Sequence, residues 1–236
     1  MARTIKIDNA LQKRFTKLAK KNEPRELKIY FLIVCEGEKT EPNYFKSFPK
    51  KIDKIFYEAE IQGGGISTLK VVEKAIKLRD NSKQKFDRVW AVFDKDSFKA
   101  NSFNSAILKA RANNISCAWS NEAFELWYLL HFHNRITAMK RDEYQKAIEE
   151  AVNTKLGKKK KAFNYKKNDK EIYNILNKVG NQKNAISWAE GLSNKIDGEN
   201  FASYNPQTMV FKLVNELNGD SKELKAEILK KHNEGQ

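Results

Sequence analysis

Ile29-Tyr30-Phe31-Leu32-Ile33-Val34-Cys35-Glu36-Gly37 and, about sixty residues further on, Val89-Trp90-Ala91-Val92-Phe93-Asp94-Lys95-Asp96 share one pattern: an unbroken β-branched and aromatic run that stops at an acid. A run without polar alternation reads as a strand buried on both faces, which is the habit of a parallel sheet. Glu36 and Asp94 therefore stand where such strands end. Open α/β sheets keep their chemistry at the carboxyl ends of their strands.

The pattern around these two runs alternates between strand and helix. Strands are expected over 28–35, 56–61, 88–93 and 115–119, and helices over 41–49, 67–78 and 103–112. Pro42 fits the first turn of its helix. Leu69, Val72, Ala75 and Ile76 share one face of the second helix. This rhythm predicts a largely parallel four-stranded sheet flanked by helices, with right-handed crossovers. From Phe124 to Phe132 the chain is apolar almost all round, so that segment should be buried, and Glu125 within it needs a partner for its carboxylate. Helices expected over 141–152, 170–179, 182–189 and 206–217 give a helical carboxyl-terminal extension. Val210, Leu213, Val214 and Leu217 form an apolar stripe on the last of them. The organisation expected is a basic amino-terminal arm (1–27), an α/β core (28–135) and a helical, lysine-rich extension packed on the core (136–236).

Charge points to the class of ligand. The chain has 236 residues and a net charge of +15. Residues 1–28 hold nine Lys or Arg against three acids, and 155–170 hold eight Lys against one Asp, so these two flanks carry nearly all of the excess. Such segments suit a polyanion, and Lys158, Lys159, Lys160, Lys161, Lys166 and Lys167 are the candidate nucleic-acid contacts. A solvated lysine-rich surface is the plainer alternative. No apolar run approaches the roughly 18 residues of a membrane span, and the first residues lack the apolar region of a signal peptide, so a cytoplasmic protein is expected. Cys35 and Cys117 fall in expected strands without metal-site spacing, which makes them core residues rather than a disulfide or a metal pair.

Asp94-Lys95-Asp96 carries the sharpest chemistry. At a strand end a period of two puts both carboxylates on one side, and a hard divalent cation such as Mg²⁺ or Mn²⁺ relieves their repulsion by taking oxygen ligands. Glu36 completes the cluster if its strand is a neighbour. A lone Asp-x-Asp is common at strand ends; the pairing with Glu36-Gly37 is more specific. Gly63-Gly64-Gly65 lacks the Lys-Ser or Lys-Thr of a phosphate-binding loop and reads better as a turn. His131 and His133, two apart on a helix, point different ways and make no joint metal site.

The combination resembles the Toprim domain, the metal-binding module of topoisomerases, bacterial primases and the overcoming-lysogenization-defect nucleases. Cys35-Glu36-Gly37-Glu38-Lys39-Thr40-Glu41-Pro42-Asn43-Tyr44-Phe45, Asp94-Lys95-Asp96, the segment from Ser120 to Phe132, and Asn205-Pro206-Gln207-Thr208 resemble the signature segments of the RloB-like family. Its members are Toprim-like proteins of bacterial anti-phage defence loci, often beside a gene for an ATPase of the ABC or overcoming-lysogenization-defect type. The resemblance implies a Toprim-like α/β core, Glu36 as general acid or base, and Asp94 and Asp96 as metal ligands. Many Toprim modules carry a further acid or Asn where this chain has Phe98; either Glu125, or Glu122 on the same expected helix face, makes good that contact or the site holds fewer ions, and Glu122 reads more readily as a first-turn acid favoured by the helix dipole. Lys39 is a candidate for touching the scissile phosphate. The expected function is a divalent-metal-dependent nuclease acting on RNA, possibly tRNA, or DNA, as the effector of a partner ATPase, with a homo-oligomer left open. Two alternatives stand beside it: a catalytically silent nucleic-acid-binding regulatory subunit, and a primase-like nucleotidyl transferase.

Overall fold

The computed structural model describes residues 27–52, 55–157 and 162–234; the amino-terminal arm up to residue 26 and the lysine run Lys158, Lys159, Lys160 and Lys161 lie outside the described residues. Four strands pair in parallel, in the order β3 (Ile55–Gln62), β1 (Leu27–Cys35), β4 (Arg88–Asp94) and β5 (Ser116–Asn121). Helix α1 (Thr40–Lys46) follows β1, α2 (Thr68–Asn81) follows β3, and α3 (Ala100–Ala112) follows β4.

The long apolar runs are buried on both sides, as their lack of polar alternation requires. Ile29, Phe31, Ile33 and Cys35 of β1, with Trp90 and Val92 of β4, face a core shared with α1 and the carboxyl-terminal helices. Leu32 and Val34, with Val89, Ala91 and Phe93, face the other core, built on Val71, Val72 and Ala75 of α2 and Phe103, Ala106, Ile107 and Ala110 of α3. Cys35 and Cys117 are free thiols, and burial holds both in the neutral form.

The sheet is larger than the four strands expected and is mixed. Two-residue strands close its edges: β2 (Lys51–Ile52) runs antiparallel to β3, and β6 (Gln207–Thr208) antiparallel to β5. Elements this short leave no periodicity to read. The helix expected over 206–217 accordingly starts late, as α8 (Val210–Leu217), because Gln207 and Thr208 pair with Asn121 and Ser120 and the Met209 N–H donates to the Trp119 carbonyl at 2.7 Å. The outer strand of the sheet thus comes from the carboxyl-terminal extension.

The segment after β5 is buried as expected, but its regular helix, α4 (Glu125–Leu129), has only five residues. Helices α5 (Arg141–Leu156), α6 (Ile172–Val179) and α7 (Gln182–Ser193) follow the expected ranges with shifted ends, and α8 buries Val210, Leu213, Val214 and Leu217. A last helix, α9 (Lys222–Glu234), has no counterpart in the sequence reading; it buries Leu224 and Ile228, too thin a stripe to stand out among its charges. Among the described residues no helix is long and apolar enough to cross a membrane.

Candidate active site

The carboxyl ends of β1 and β4 bring the first two acids together. Cys35 pairs with Val92, the Glu36 N–H donates to the Val92 carbonyl at 2.8 Å, and the Asp94 N–H donates to Glu36 Oε2 at 3.0 Å. Beyond Asp94 the chain leaves the strand in a tight turn. Lys95 N–H donates to the Ser120 carbonyl at 2.8 Å, Asp96 N–H to the Glu122 carbonyl at 3.2 Å, and Asp96 takes a φ of 39°. Aspartate is among the few side chains that adopt this left-handed region readily. The two aspartates do meet at one place, but a turn brings them there rather than the pleat of a strand.

Glycines fit the neighbouring loops closely. A Cβ on Gly63 would lie 2.8 Å from the Gly37 carbonyl oxygen, and Gly65, at φ 56°, donates its N–H to the Glu36 carbonyl at 2.7 Å. The triple glycine lets the exit from β3 press against the Glu36 loop and brace it. A Cβ on Gly37 would lie 2.2 Å from Glu41 Oε2, so the bare backbone at 37 is what gives the Glu41 carboxylate its place. Glu41, in the first turn of α1, is buried.

A cleft of about 210 Å³ results, lined by the carboxylates of Glu36, Glu41, Asp94, Asp96 and Glu125 and by two cations, Arg141 and Lys167. Arg141 opens α5; its Nη1 forms an ion pair with Asp96 Oδ2, and its Nη2 lies 3.8 Å from Asp94 Oδ2. Glu125, the buried acid that needed a partner, accepts a hydrogen bond of 3.0 Å from the Tyr165 hydroxyl. Three of these acids, Glu36, Asp94 and Glu41, resist ionisation. Burial raises the Glu36 pKa to about 7 against the pull of the Asp94 N–H. Burial, with Glu41 and Glu125 nearby, holds Asp94 well above the ordinary aspartate range, and Arg141 only partly offsets this. Glu41 is also raised, by burial first, against its backbone hydrogen bonds.

The structure distributes the expected site residues unevenly. Glu36, Asp94, Asp96, Glu125 and Lys167 line the cleft. Lys39 is exposed just ahead of α1 and does not line it. Glu122 precedes α4 instead of sharing a helix face with Glu125, and its carbonyl serves the Asp96 turn. Lys166 is exposed, whereas the backbone beside it is latched to α1 by Thr40 Oγ1 donating to the Lys167 carbonyl at 2.9 Å and Asn43 Nδ2 donating to the Asn168 carbonyl at 3.1 Å. Three participants escaped the sequence reading. Glu41 lies inside a quoted signature, four residues after Gly37, and was visible only as a helix-start acid. Arg141 and Tyr165 are contributed from the extension, with no local signal. His131 is a core residue: buried, its ring 5.0 Å from that of Trp127, with Nδ1–H on the Trp127 carbonyl at 2.9 Å.

The donor set is all carboxylate oxygen and lies at the carboxyl ends of the central strands β1 and β4, where the strand order reverses, which suits a hard cation. Among the described residues no three acidic, cysteine or histidine side chains are drawn together as a preformed metal centre. No curated protein and no solved structure matches the chain. The family model of the RloB-like protein matches residues 31–217, from within β1 to the end of α8, and so takes in the strands, the acid cleft and the helices that supply Arg141 and Lys167. The chain belongs to the RloB-like family.

Proposed function

We propose that this chain is a divalent-metal-dependent nuclease of Toprim-like type. The observation that carries the reading is the convergence of Glu36, Asp94, Asp96, Glu125 and Glu41, from separate elements, on one cleft beside Arg141 and Lys167. The parallel order β3-β1-β4-β5, with acids after β1 and β4, supports the Toprim comparison. Asp94 and Asp96, with Glu125 or Glu41, would hold Mg²⁺ or Mn²⁺. A bound ion of this kind supplies charge neutralisation at a phosphodiester and acidifies a bound water.

The chain's own groups account for the rest. With a pKa of about 7, Glu36 is present in both protonation states near neutrality, which suits a group that takes a proton from attacking water and returns one to a leaving oxygen. The Asp94 N–H fixes Oε2 of that carboxylate and so orients it. Lys167 is held at the cleft by the latch on α1 and offers an ammonium to a phosphate oxygen. The lysine-rich segments would add backbone contacts without sequence choice. The setting of the RloB-like family in defence loci supports a cytoplasmic effector paired with an ABC-type or overcoming-lysogenization-defect-type ATPase.

Incubation of the purified protein with labelled RNA and DNA pools and Mg²⁺ or Mn²⁺ tests this directly. Asp94→Asn with Asp96→Asn should keep the fold, because Asn preserves the side-chain shape and, at position 96, adopts the φ of 39° as readily as aspartate. Cleavage should fall by more than the roughly 10- to 100-fold typical of an outer-shell loss. Undiminished cleavage in the double variant would move the chemistry elsewhere. The ion pairs that Arg141 makes favour one second reading, a silent nucleic-acid-binding subunit whose acids stay neutralised; on that reading no pool is cut with either metal.

A further inference from the structure

We infer that Arg141 is the built-in counter-ion of the Asp94 and Asp96 pair and competes with a divalent cation for it, an inference that rests on the metal-dependent reading above. Its guanidinium reaches both carboxylates at once, with Nη1 paired to Asp96 Oδ2 and Nη2 3.8 Å from Asp94 Oδ2. A hard cation placed on this acid pair would have to share it with the guanidinium. The Asp96 oxygen engaged by the guanidinium is not free to ligate an ion, and two cations crowded on one acid pair repel.

The helix start that carries Arg141 is held in place, and only its side chain is free to swing. Arg141 is the first residue of α5, and the start of that helix is pinned by the Lys140 N–H donating to Glu143 Oε2 at 2.8 Å and by the burial of Tyr144 one turn on. The arginine side chain retains 36% exposure, whereas that of Asp94 retains 8%. Asp96 is as open as the arginine, at 37%, so the guanidinium can move outward while the buried Asp94 stays behind. Once displaced it remains at the mouth of a cleft that Lys167 also lines, where a phosphodiester is the natural acceptor for both. Cation loading and polyanion binding then help one another, because each favours the released arginine.

The test is calorimetric titration of Mn²⁺ into the purified full chain, with no nucleic acid present. Arg141→Gln should bind Mn²⁺ about tenfold tighter than the natural chain, the equivalent of one charge-assisted pair that no longer has to be broken. Arg141→Lys should fall between the two, keeping the charge without the fork. Asp94→Asn should remove the binding. Equal or weaker Mn²⁺ binding by Arg141→Gln, in a protein whose natural chain binds Mn²⁺ through Asp94, would overturn the inference and leave the metal reading standing. Absence of Asp94-dependent binding in every variant would overturn both. Thermal melts provide a readout independent of affinity. The metal-free Arg141→Gln protein should melt below the natural chain, and Mn²⁺ should raise its midpoint more. If that variant does not fold, Arg141→Lys carries the same comparison, and a Mn²⁺ increment no larger than that of the natural chain counts against the inference.

Discussion

Gly37 and His131 show how single residues serve the site and the core by different physics. A methyl group at position 37 would stand 2.2 Å from Glu41 Oε2, so Gly37→Ala has to drive that carboxylate from its place against the loop. Overpacking of this kind costs about 1–3 kcal/mol. We expect a protein that folds with a modestly lower urea midpoint but cuts nucleic acid poorly; normal cleavage would show that Glu41 has no part in the reaction. His131 is buried, and its pKa is lowered to about 4, chiefly by burial, from an ordinary value near 6.5. The folded state therefore binds fewer protons than the unfolded chain, and stability falls as the pH drops from about 6.5 towards 4, by about 3 kcal/mol in full. Glu36, with its pKa raised to about 7, works in the opposite sense, favouring the folded state below the ordinary carboxylate range and losing that as the pH rises towards 7. Comparing urea stability from pH 7 to pH 4 for the natural chain and His131→Leu isolates the histidine. The variant should show a flatter acid limb, and parallel curves would place its titration elsewhere. At this scale the sequence pointed to Glu36 and Asp94 because each ends an apolar run, and to Asp96 by its spacing of two from Asp94. It hid Arg141, since nothing near that residue says that a helix begun 45 positions after Asp96 returns to the aspartates.

Among the elements, β4 joins the candidate site at one end to the scaffold at the other. Arg88 begins the strand, and its Nε lies 3.0 Å from Glu216 Oε1 of α8, while the Trp90 indole N–H donates to Glu216 Oε2 at 2.8 Å. Glu216→Ala would leave a buried indole N–H and a mostly buried guanidinium without that acceptor, although Arg88 keeps its Nη1 pair with Glu227 at 2.6 Å. The expected cost is about 2–4 kcal/mol. Glu216→Gln, which can still accept from Trp90, should lose less. Because this network sits at the opposite end of β4 from Asp94, cleavage per folded molecule should be unchanged in both; urea midpoints together with activity at low temperature check the separation, and a matching fall in activity would show that the two ends of the strand are coupled. The central strands β1 and β4 were legible in the sequence because a parallel sheet buried on both faces demands continuous apolar runs, whereas β3, largely open, and β5 followed from the alternation of strand and helix around them. The edge strands β2 and β6 were not, since two residues carry no period and their pairing depends on which edge is free. The true reach of the buried segment after β5 was also hidden: all-round hydrophobicity predicts burial correctly but does not tell a long helix from the short α4 followed by turns.

For the molecule as a whole, the dominant facts are a net charge of +15 and a cleft in which carboxylates outnumber cations. Acids gather at the strand ends, while the basic excess of the sequence falls on its two flanks; under the proposed function this division would draw a polyanion to the chain and leave the cleft to a cation. The run Lys158, Lys159, Lys160 and Lys161 joins the end of α5 to the segment latched on α1, and so connects the helix that supplies Arg141 with the turn that supplies Lys167. If these lysines contact phosphates, replacing all four by Gln should weaken nucleic-acid binding uniformly across sequences and flatten its salt dependence by up to about three units of slope, because each lost contact spares roughly 0.7–0.9 of a released counterion. Fluorescence anisotropy of a labelled oligonucleotide between low and moderate salt measures both effects in one series. A parallel loss of affinity at every salt concentration would indicate a disturbed fold, and unchanged affinity and slope would assign the electrostatic grip to the amino-terminal arm, to Lys166 and Lys167, or to a partner subunit.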